Sequence, residues 1–506
     1  MEVWCILLVT LSTAALLKAL INLLIPKKLP NNLPPGPFTI PIISNILWLF
    51  KAGPDVELIL RPLHAKLGPL VTLHIGSGIA IFVSDRALAY QTLVQNGAVF
   101  SDRPRSGPVA RINNSNQHNI NSAAYGPTWR LLRRNLTAEI LHPSRVKSYS
   151  HARSWVLNIL MDRLKSEAAK SGNPVIVMDH FRYGMFCLLV LMCFGDKLNE
   201  NQIKEIEDVE LRFLFNDSKF QVLNFWPSLM KIVLRKRWQL FLKLQQDKEA
   251  VLVPLIRARK KAKEEGLKDA VLSYVDTLLD LELPEEKRKV NEKEMVSLCS
   301  EFLDAGTDTT AAALQWVMAN LVKYPDVQEK LFMEIKGVVG EGAVEIGEDE
   351  LQRMPYLKAV ILEGLRRHPP SHFVVPHAVT EDVVIDKYVI PKNAIVNFMV
   401  AEMGLDPKVW EDPMGFKPER FMSSDGEVVF DITGSKEIKM MPFGVGRRMC
   451  PGFGLAMLHL EYFVANLVLN FEWKAKDGDD VDLSEKQEFI MVMKNPLQAY
   501  ISPRSK

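Results

Sequence analysis

Cys450 stands in the stretch Phe443-Gly-Val-Gly446-Arg-Arg448-Met-Cys450-Pro-Gly452. Glycines at 444, 446 and 452 let backbone approach another group closely, with no Cβ in the way. Pro451 suits the first position of a helix, and Leu455, Leu458, His459, Phe463 and Leu467 then repeat at helical spacing. The pattern predicts that Cys450 is presented at a helix N-terminus, where free N–H groups and the helix dipole favour a thiolate. A thiolate in an apolar, glycine-lined loop suits one open coordination position of a metal macrocycle.

Ala305-Gly306-Thr307-Asp308-Thr309-Thr310 is an unusual content for a helix interior, because Gly and Thr are poor helix formers there. Thr309 lies four residues after Ala305, so its hydroxyl can bond that carbonyl and loosen the helix locally. The result is a groove with a hydroxyl and a carboxylate beside it. The helix is predicted to open at Asn291, with Glu294 three residues on as a capping box, and to end near Tyr324-Pro325. Trp129 and Arg133 share a helix face, so an indole and a guanidinium can meet one anionic group. Glu363 and Arg366 share another, with Pro418-Glu-Arg420-Phe421 downstream.

Taken in chain order, WxxxR, AGTDTT, ExxR, PERF and FxxGxRxCxG resemble the motifs of the cytochrome P-450 superfamily, in the style of its microsomal, plant A-type members. The resemblance implies a mostly-α fold with small β-sheets, preceded by one N-terminal transmembrane helix. It makes haem b the cofactor and Cys450 the axial iron ligand, with Phe443, Arg448 and Gly452 in the haem-binding loop. It assigns Trp129, Arg133 and His377 to the haem propionates, and Glu363, Arg366 and Arg420 to a structural ion triad. Asp308 and Thr309 become the proton relay of a monooxygenase that puts one atom of O2 into a small organic substrate, one of plant specialised metabolism. Electrons then come from NADPH through a separate cytochrome P-450 reductase, since no Rossmann GxGxxG follows a strand. That partner is placed on the face carrying Arg130, Arg134, Arg367 and Arg447. Two other readings compete: a haem-thiolate isomerase or dehydratase needing no external electrons, and a membrane haem carrier or sensor.

Within such a site the substrate candidates are Glu301, Asp304, Ala305 and Phe373. At about 100° per residue, Ala305 facing the haem leaves Thr309 and Glu301 about 40° to either side and Asp304 about 100° away. An unpaired buried carboxylate is very costly. Glu301 therefore requires Arg111 of the polar loop or a polar substrate group as partner, unless the helix turns it out to solvent.

The elements that must position these groups fill 506 residues, nearly half of them hydrophobic. Lys and Arg total 62 against 60 Asp and Glu, so no global charge points to nucleic acid. Five scattered cysteines fit a reducing compartment and not a disulfide scaffold. His368 and His372 are separated by two prolines, which argues against a zinc pair there. Val3 to Ile25 is long and apolar enough to span a bilayer, and the basic Lys27-Lys28 flank predicts cytosolic orientation. Three segments follow: an anchor over 1–27 in the endoplasmic reticulum membrane, a basic, proline-rich hinge over 28–41, and a haem-binding catalytic domain over 42–506. On that topology the triplets at Asn113 and Asn135 stay unglycosylated. A hairpin is predicted around Val71–Ile75 and Ala80–Val83, with further extended pieces at Val383–Ile390 and Ala394–Met399. The polar segment Phe100–Gly126 is too long for a simple connection. The basic runs Arg235–Arg237 and Arg257–Lys263 read as solvated helix faces.

Overall fold

The computed structural model describes residues 10, 12–13, 32–37, 56–75, 78–171, 174–224, 227–266, 271–476 and 480–504. Apart from residues 10 and 12–13 the anchor reading falls outside those residues, as do both hinge boundaries. The described chain forms two compact units, one drawn from Met1–Pro104 with Val375–Met399, the other from Arg105–Val374 with Val400–Lys506.

In the first unit, α1 (Val56–Leu67) leads into β1 (Leu70–Ile75) and β2 (Gly78–Val83). The strands pair antiparallel, Leu70 opposite Val83 and Thr72 opposite Ile81, as the hairpin pattern predicts. Two later strands are β3 (His377–Ala378) and β4 (Ile395–Phe398). β4 joins β2 in parallel register and β3 in antiparallel register, so the expected piece at Ala394–Met399 extends the same sheet, whereas Val383–Ile390 forms a separate antiparallel hairpin, Val383 opposite Ile390. The proline segment is more than a spacer. Thr72 on β1 donates its N–H to the Pro35 carbonyl and its hydroxyl to the Pro34 carbonyl, each at 2.8 Å. A Cβ on Gly36 would fall 2.1 Å from the Thr72 carbonyl oxygen, so this docking requires glycine.

The second unit is helical. Its principal helices are α2 (Pro127–Glu139), α3 (Val177–Phe194), α4 (Glu200–Gln221), α5 (Arg235–Glu264), α6 (Glu292–Lys323), α7 (Pro355–Arg367) and α8 (Phe453–Asn470). α6 opens on the predicted capping box: Asn291 accepts from the Glu294 N–H, and Glu294 accepts from the Asn291 N–H. It ends at Tyr324, before Pro325. From Ala311 to Val322 α6 is buried on every side, against α3, α7 and α8. Small alanines at 311–313 let the neighbouring helices approach closely. By length and composition α3 and α8 could cross a membrane, yet both are core helices here. Arg235, Lys236 and Arg237 are exposed, as read, but Arg259 is not: it is buried in a bidentate pair with Asp276. The helix face of that run turns toward the segment carrying Asp276, and the charge is satisfied inside.

The predicted triad is formed. The Glu363 carboxylate receives Arg366 at 2.7 and 2.8 Å, Arg420 at 3.1 Å and the Lys417 N–H at 2.8 Å. Arg366 also donates to the carbonyls of Gly404, Pro413 and Gly415. One buried ion network thus ties α7 to the segment that leads into the cysteine loop.

Candidate active site

Gly444 and Gly446 take φ of +67° and +79°. These two glycines supply left-handed backbone, which turns the chain so that the Cys450 N–H donates to the Phe443 carbonyl at 2.9 Å. Gly452 caps α8, and Phe453 is its first residue. Pro451 therefore precedes the helix and is not its first position. The Gly452 N–H is bonded to the Cys450 sulfur. Burial pushes the Cys450 thiol up, and the Gly452 N–H and the positive charge of Arg133 only partly offset this. The Gly452 N–H acts in the direction expected of a helix end, and a metal cation against the sulfur would add further favourable charge to offset burial.

Trp129 on α2 is buried, and its indole N–H has no hydrogen-bond partner among the described residues. The Arg448 guanidinium lies 4.4 Å over the Trp129 ring and donates to the Ile120 and Ala123 carbonyls. Arg133, one turn along α2, is half-buried and feels the charge of Cys450. An orphaned indole N–H, a partly desolvated guanidinium and a thiol thus belong to one cluster. That donor set fits a metal macrocycle bearing carboxylates. Among the described residues no group of three or more His, Cys, Asp or Glu forms a metal cluster of its own. His368 and His372 instead share Glu485 at 2.8 and 3.3 Å.

His377 belongs to the first unit. There it is buried, its Nδ1 lies 2.6 Å from the Phe100 carbonyl oxygen, and its ring stands edge-on to Phe398. Arg103, a residue the sequence reading passed over, donates to the Val375 and Pro376 carbonyls in the same unit. Its only sequence signal was an arginine inside a loop of mixed polarity. Phe373, in the second unit, is half-buried, and its carbonyl accepts the Ser371 hydroxyl.

On α6 the Thr309 hydroxyl donates to the Ala305 carbonyl at 2.6 Å, the bond expected from the spacing. Ala305 is exposed although it lies within a central helix, so this face borders open space. Asp308 is buried and pairs with Arg182 of α3 at 2.8 Å. Burial raises its pKa against the pull of Arg182. Glu301 finds partners the sequence did not suggest: its two oxygens accept the N–H groups of Ile120 at 2.8 Å and Asn121 at 2.6 Å. Arg111, the partner proposed from sequence, donates instead to the Ser106 carbonyl. Backbone amides won because the loop folds back onto α6, where His118 also meets Glu294 at 2.7 Å. Asp304 lies elsewhere, at a small cavity with Glu207 and Glu210 of α4.

Fold and site together fit a protein that holds a metal macrocycle bearing carboxylates. The family model for Cytochrome P450 matches residues 34–502. The chain belongs to that family and is a cytochrome P450 monooxygenase by descent, a family that binds haem iron and acts on small molecules with O2. It is 53% identical to Cytochrome P450 89A9 of Arabidopsis thaliana over 487 residues, 94% of each chain. It is 30% identical to Geraniol 8-hydroxylase of Swertia mussotii, covering 93% of this chain and 94% of that one. It is 31% identical to Costunolide synthase of Cichorium intybus, covering 93% of both. Its fold resembles a zebra fish cytochrome P450 solved with progesterone, with TM-score 0.73, 21% identity, and coverage of 89% of this chain and 99% of that one.

Proposed function

We propose that the protein is a membrane-anchored haem b monooxygenase of plant specialised metabolism, facing the cytosol from the endoplasmic reticulum and fed by NADPH–cytochrome P450 reductase. The observation that carries it is the cluster around Cys450: a sulfur held by the Gly452 N–H, beside Arg133 and the unpartnered indole of Trp129. When bound, haem supplies oxygen activation, which an anionic sulfur ligand favours by pushing electron density onto iron. Cys450 holds its sulfur in place through the turn at Gly444 and Gly446. Trp129, Arg133 and Arg448 would hold the macrocycle's carboxylates, two of them as cations and one as a neutral donor.

Thr309 keeps its hydroxyl on the Ala305 carbonyl and presents it at the groove, where it holds a proton for delivery. Asp308, neighbouring it in sequence and fixed by Arg182, carries the replacement proton. Ala305 leaves space beside them, and Phe373 adds an apolar wall for a lipophilic substrate. The relatives named for geraniol hydroxylation and costunolide formation support a small specialised metabolite as substrate.

Cys450→Ser tests the reading. The reduced carbon monoxide complex of the parent chain should show the strongly red-shifted Soret band of a thiolate ligand, and the variant should lose it. A variant that keeps the band removes Cys450 from the iron. NADPH use and oxygenated product with purified reductase then separate a monooxygenase from an isomerase.

A further inference from the structure

A small cavity lies between α3, α4 and α6, lined by Glu207, Glu210, Asp304, Thr307, Asp308 and Arg182. It is large enough for a single water molecule. Four carboxylates in so small a space are unusual, because buried charges are tolerated only when paired. Two cations are present. Arg182 pairs with Asp308, and Lys248 of α5 lies 3.9 Å from Glu210. Carboxylates therefore exceed cations by two.

Two polar atoms on lining residues are buried and have no hydrogen-bond partner among the described residues: Glu210 Oε1 and the Thr307 hydroxyl. Both residues are only 2% exposed. The other oxygen of Glu210 accepts the Ser300 hydroxyl at 2.8 Å, and Ser300 in turn accepts from Lys248 at 3.0 Å. Glu210 is thus fixed, with one oxygen on a polar network and one left over. Phe186, Leu211, Leu214 and Leu303 complete the lining, so an orphaned acceptor and an orphaned hydroxyl on residues of one water-sized cavity have an ordered water as their available partner.

We propose that this cavity is a water-and-proton site, in which Glu210 and Asp304 hold a proton that passes through the bound water to Asp308. In the transfer one carboxyl O–H bond of the Glu210–Asp304 pair breaks and one forms on the Asp308 carboxylate, with the water exchanging a proton on each side. No electrons move. Glu207, half-buried on the same cavity, takes the replacement proton from solvent. Burial pushes all four acids above the ordinary carboxylate range. Arg182 opposes this at Glu207 and Asp308, and Lys248 opposes it at Glu210 and Asp304. Glu488 adds repulsion at Asp308, and Asp179 adds it at Glu207. Dispersing two excess negative charges over protons and a water costs less than holding four carboxylates ionised. The step at Asp308 rests on the monooxygenase reading above; the site does not.

The test uses the full-length, haem-loaded chain in detergent or nanodiscs. Infrared spectra at neutral pH should show buried, protonated carboxyl groups, and Glu210→Gln and Asp304→Asn should each remove part of that absorption. Absence of the absorption, or its survival in both variants, overturns the site whether or not the enzyme turns over. With reductase and substrate, both variants should lower product formed per NADPH and slow turnover roughly tenfold, with a larger solvent isotope effect. Asp304→Glu should restore much of the rate, which a packing defect would not allow. Thr307→Val removes a hydroxyl that bonds nothing among the described residues, so it should fold normally and still raise peroxide release. Unchanged coupling and isotope effect in Thr307→Val would overturn the water bridge. A chain that keeps the infrared signature but oxygenates nothing supports the site and counts against the monooxygenase reading.

Discussion

Two buried ionic regions flank the chemistry, and they are built on opposite plans. In the triad, Glu363 has four donors on its two oxygens, and Arg366 spends its remaining N–H groups on three carbonyls. Charge and hydrogen bonds close. At the cavity beside α6, Glu207, Glu210, Asp304 and Asp308 face two cations, and one Glu210 oxygen has no partner among the described residues. Charge and hydrogen bonds stay open. A closed network fixes geometry, which the turn toward Cys450 requires; an open one keeps protons exchangeable, which a relay requires. Burial alone does not tell them apart, since Glu363, Arg366, Glu210 and Lys248 are all buried. Stoichiometry does.

Removing the cation from each network should expose that difference most strongly. Arg366→Met leaves the buried Glu363 with only Arg420 and the Lys417 N–H as donors, and should cost about 3–5 kcal/mol, the usual penalty for breaking a buried pair. Lys248→Met leaves Glu210 free to keep a proton, so its charge vanishes instead of being stranded. The cost should fall to about 1–2 kcal/mol, mostly for the lost bonds to Ser300 and Asn113. Urea midpoints and haem retention measure both. Equal losses in the two variants would mean that the cavity acids are ionised like Glu363, and the contrast would collapse.

A smaller effect should appear in the pH dependence of stability. The cavity acids have native pKa values raised by burial, whereas the unfolded chain releases those protons near the ordinary carboxylate range, about pH 4. Above that pH the native state binds more protons than the unfolded state. Its stability is therefore full at low pH and falls as pH rises toward the raised values. His368, lowered to about 4, and His459, lowered to about 3, both by burial, act in the other direction. Their contribution is present above the unfolded histidine range and is lost as pH falls below it. The informative quantity is thus the difference between parent and Glu210→Gln/Asp304→Asn: the double variant should lose part of the decline that begins above about pH 4. A difference that is flat in pH would deny the raised values.

Why one region was legible and the other was not follows from chain distance. Thr309 and Ala305, Asn291 and Glu294, and Glu363 and Arg366 lie within one helical turn of each other, so spacing alone fixes their contact. The alternating Val71–Ile75 and Ala80–Val83 runs announce their pairing in the same local way. Arg420 joined Glu363 only through motif resemblance. Arg182 with Asp308, and Lys248 with Glu210, meet because α3, α4 and α5 pack on α6, and no local rule pairs them. A signal did exist. Ile203, Ile206, Glu210 and Phe213 share the buried stripe of α4, and Phe241, Leu244, Lys248 and Leu252 that of α5. A lone charge at an apolar helical position must be paired across the core. Opposite signs on two such stripes were enough to propose the contact. Glu301 offered no equivalent clue, since its partners are backbone amides, which leave no trace in side-chain pattern.

That carboxylate is the last and gentlest probe of the comparison, because it closes its bonds as Glu363 does but at the edge of the core. One oxygen takes the Ile120 N–H and the other the Asn121 N–H, while Arg448 grips the carbonyls of Ile120 and Ala123 from the cysteine loop. The segment 120–123 is thereby held on its donor side by α6 and on its acceptor side by the loop around Cys450. Glu301→Gln changes one oxygen to an NH2 group, which must face an N–H and so loses that bond while the other survives. The loss should be about 1–2 kcal/mol and local. Hydrogen exchange resolved at Ile120 and Asn121 should show one amide opening faster while α6 keeps its protection. Glu301→Asp, too short to span both amides, should release both. If Glu301→Gln instead left both amides protected and weakened only the binding of substrate, the carboxylate would belong to the pocket and not to the closed kind of network.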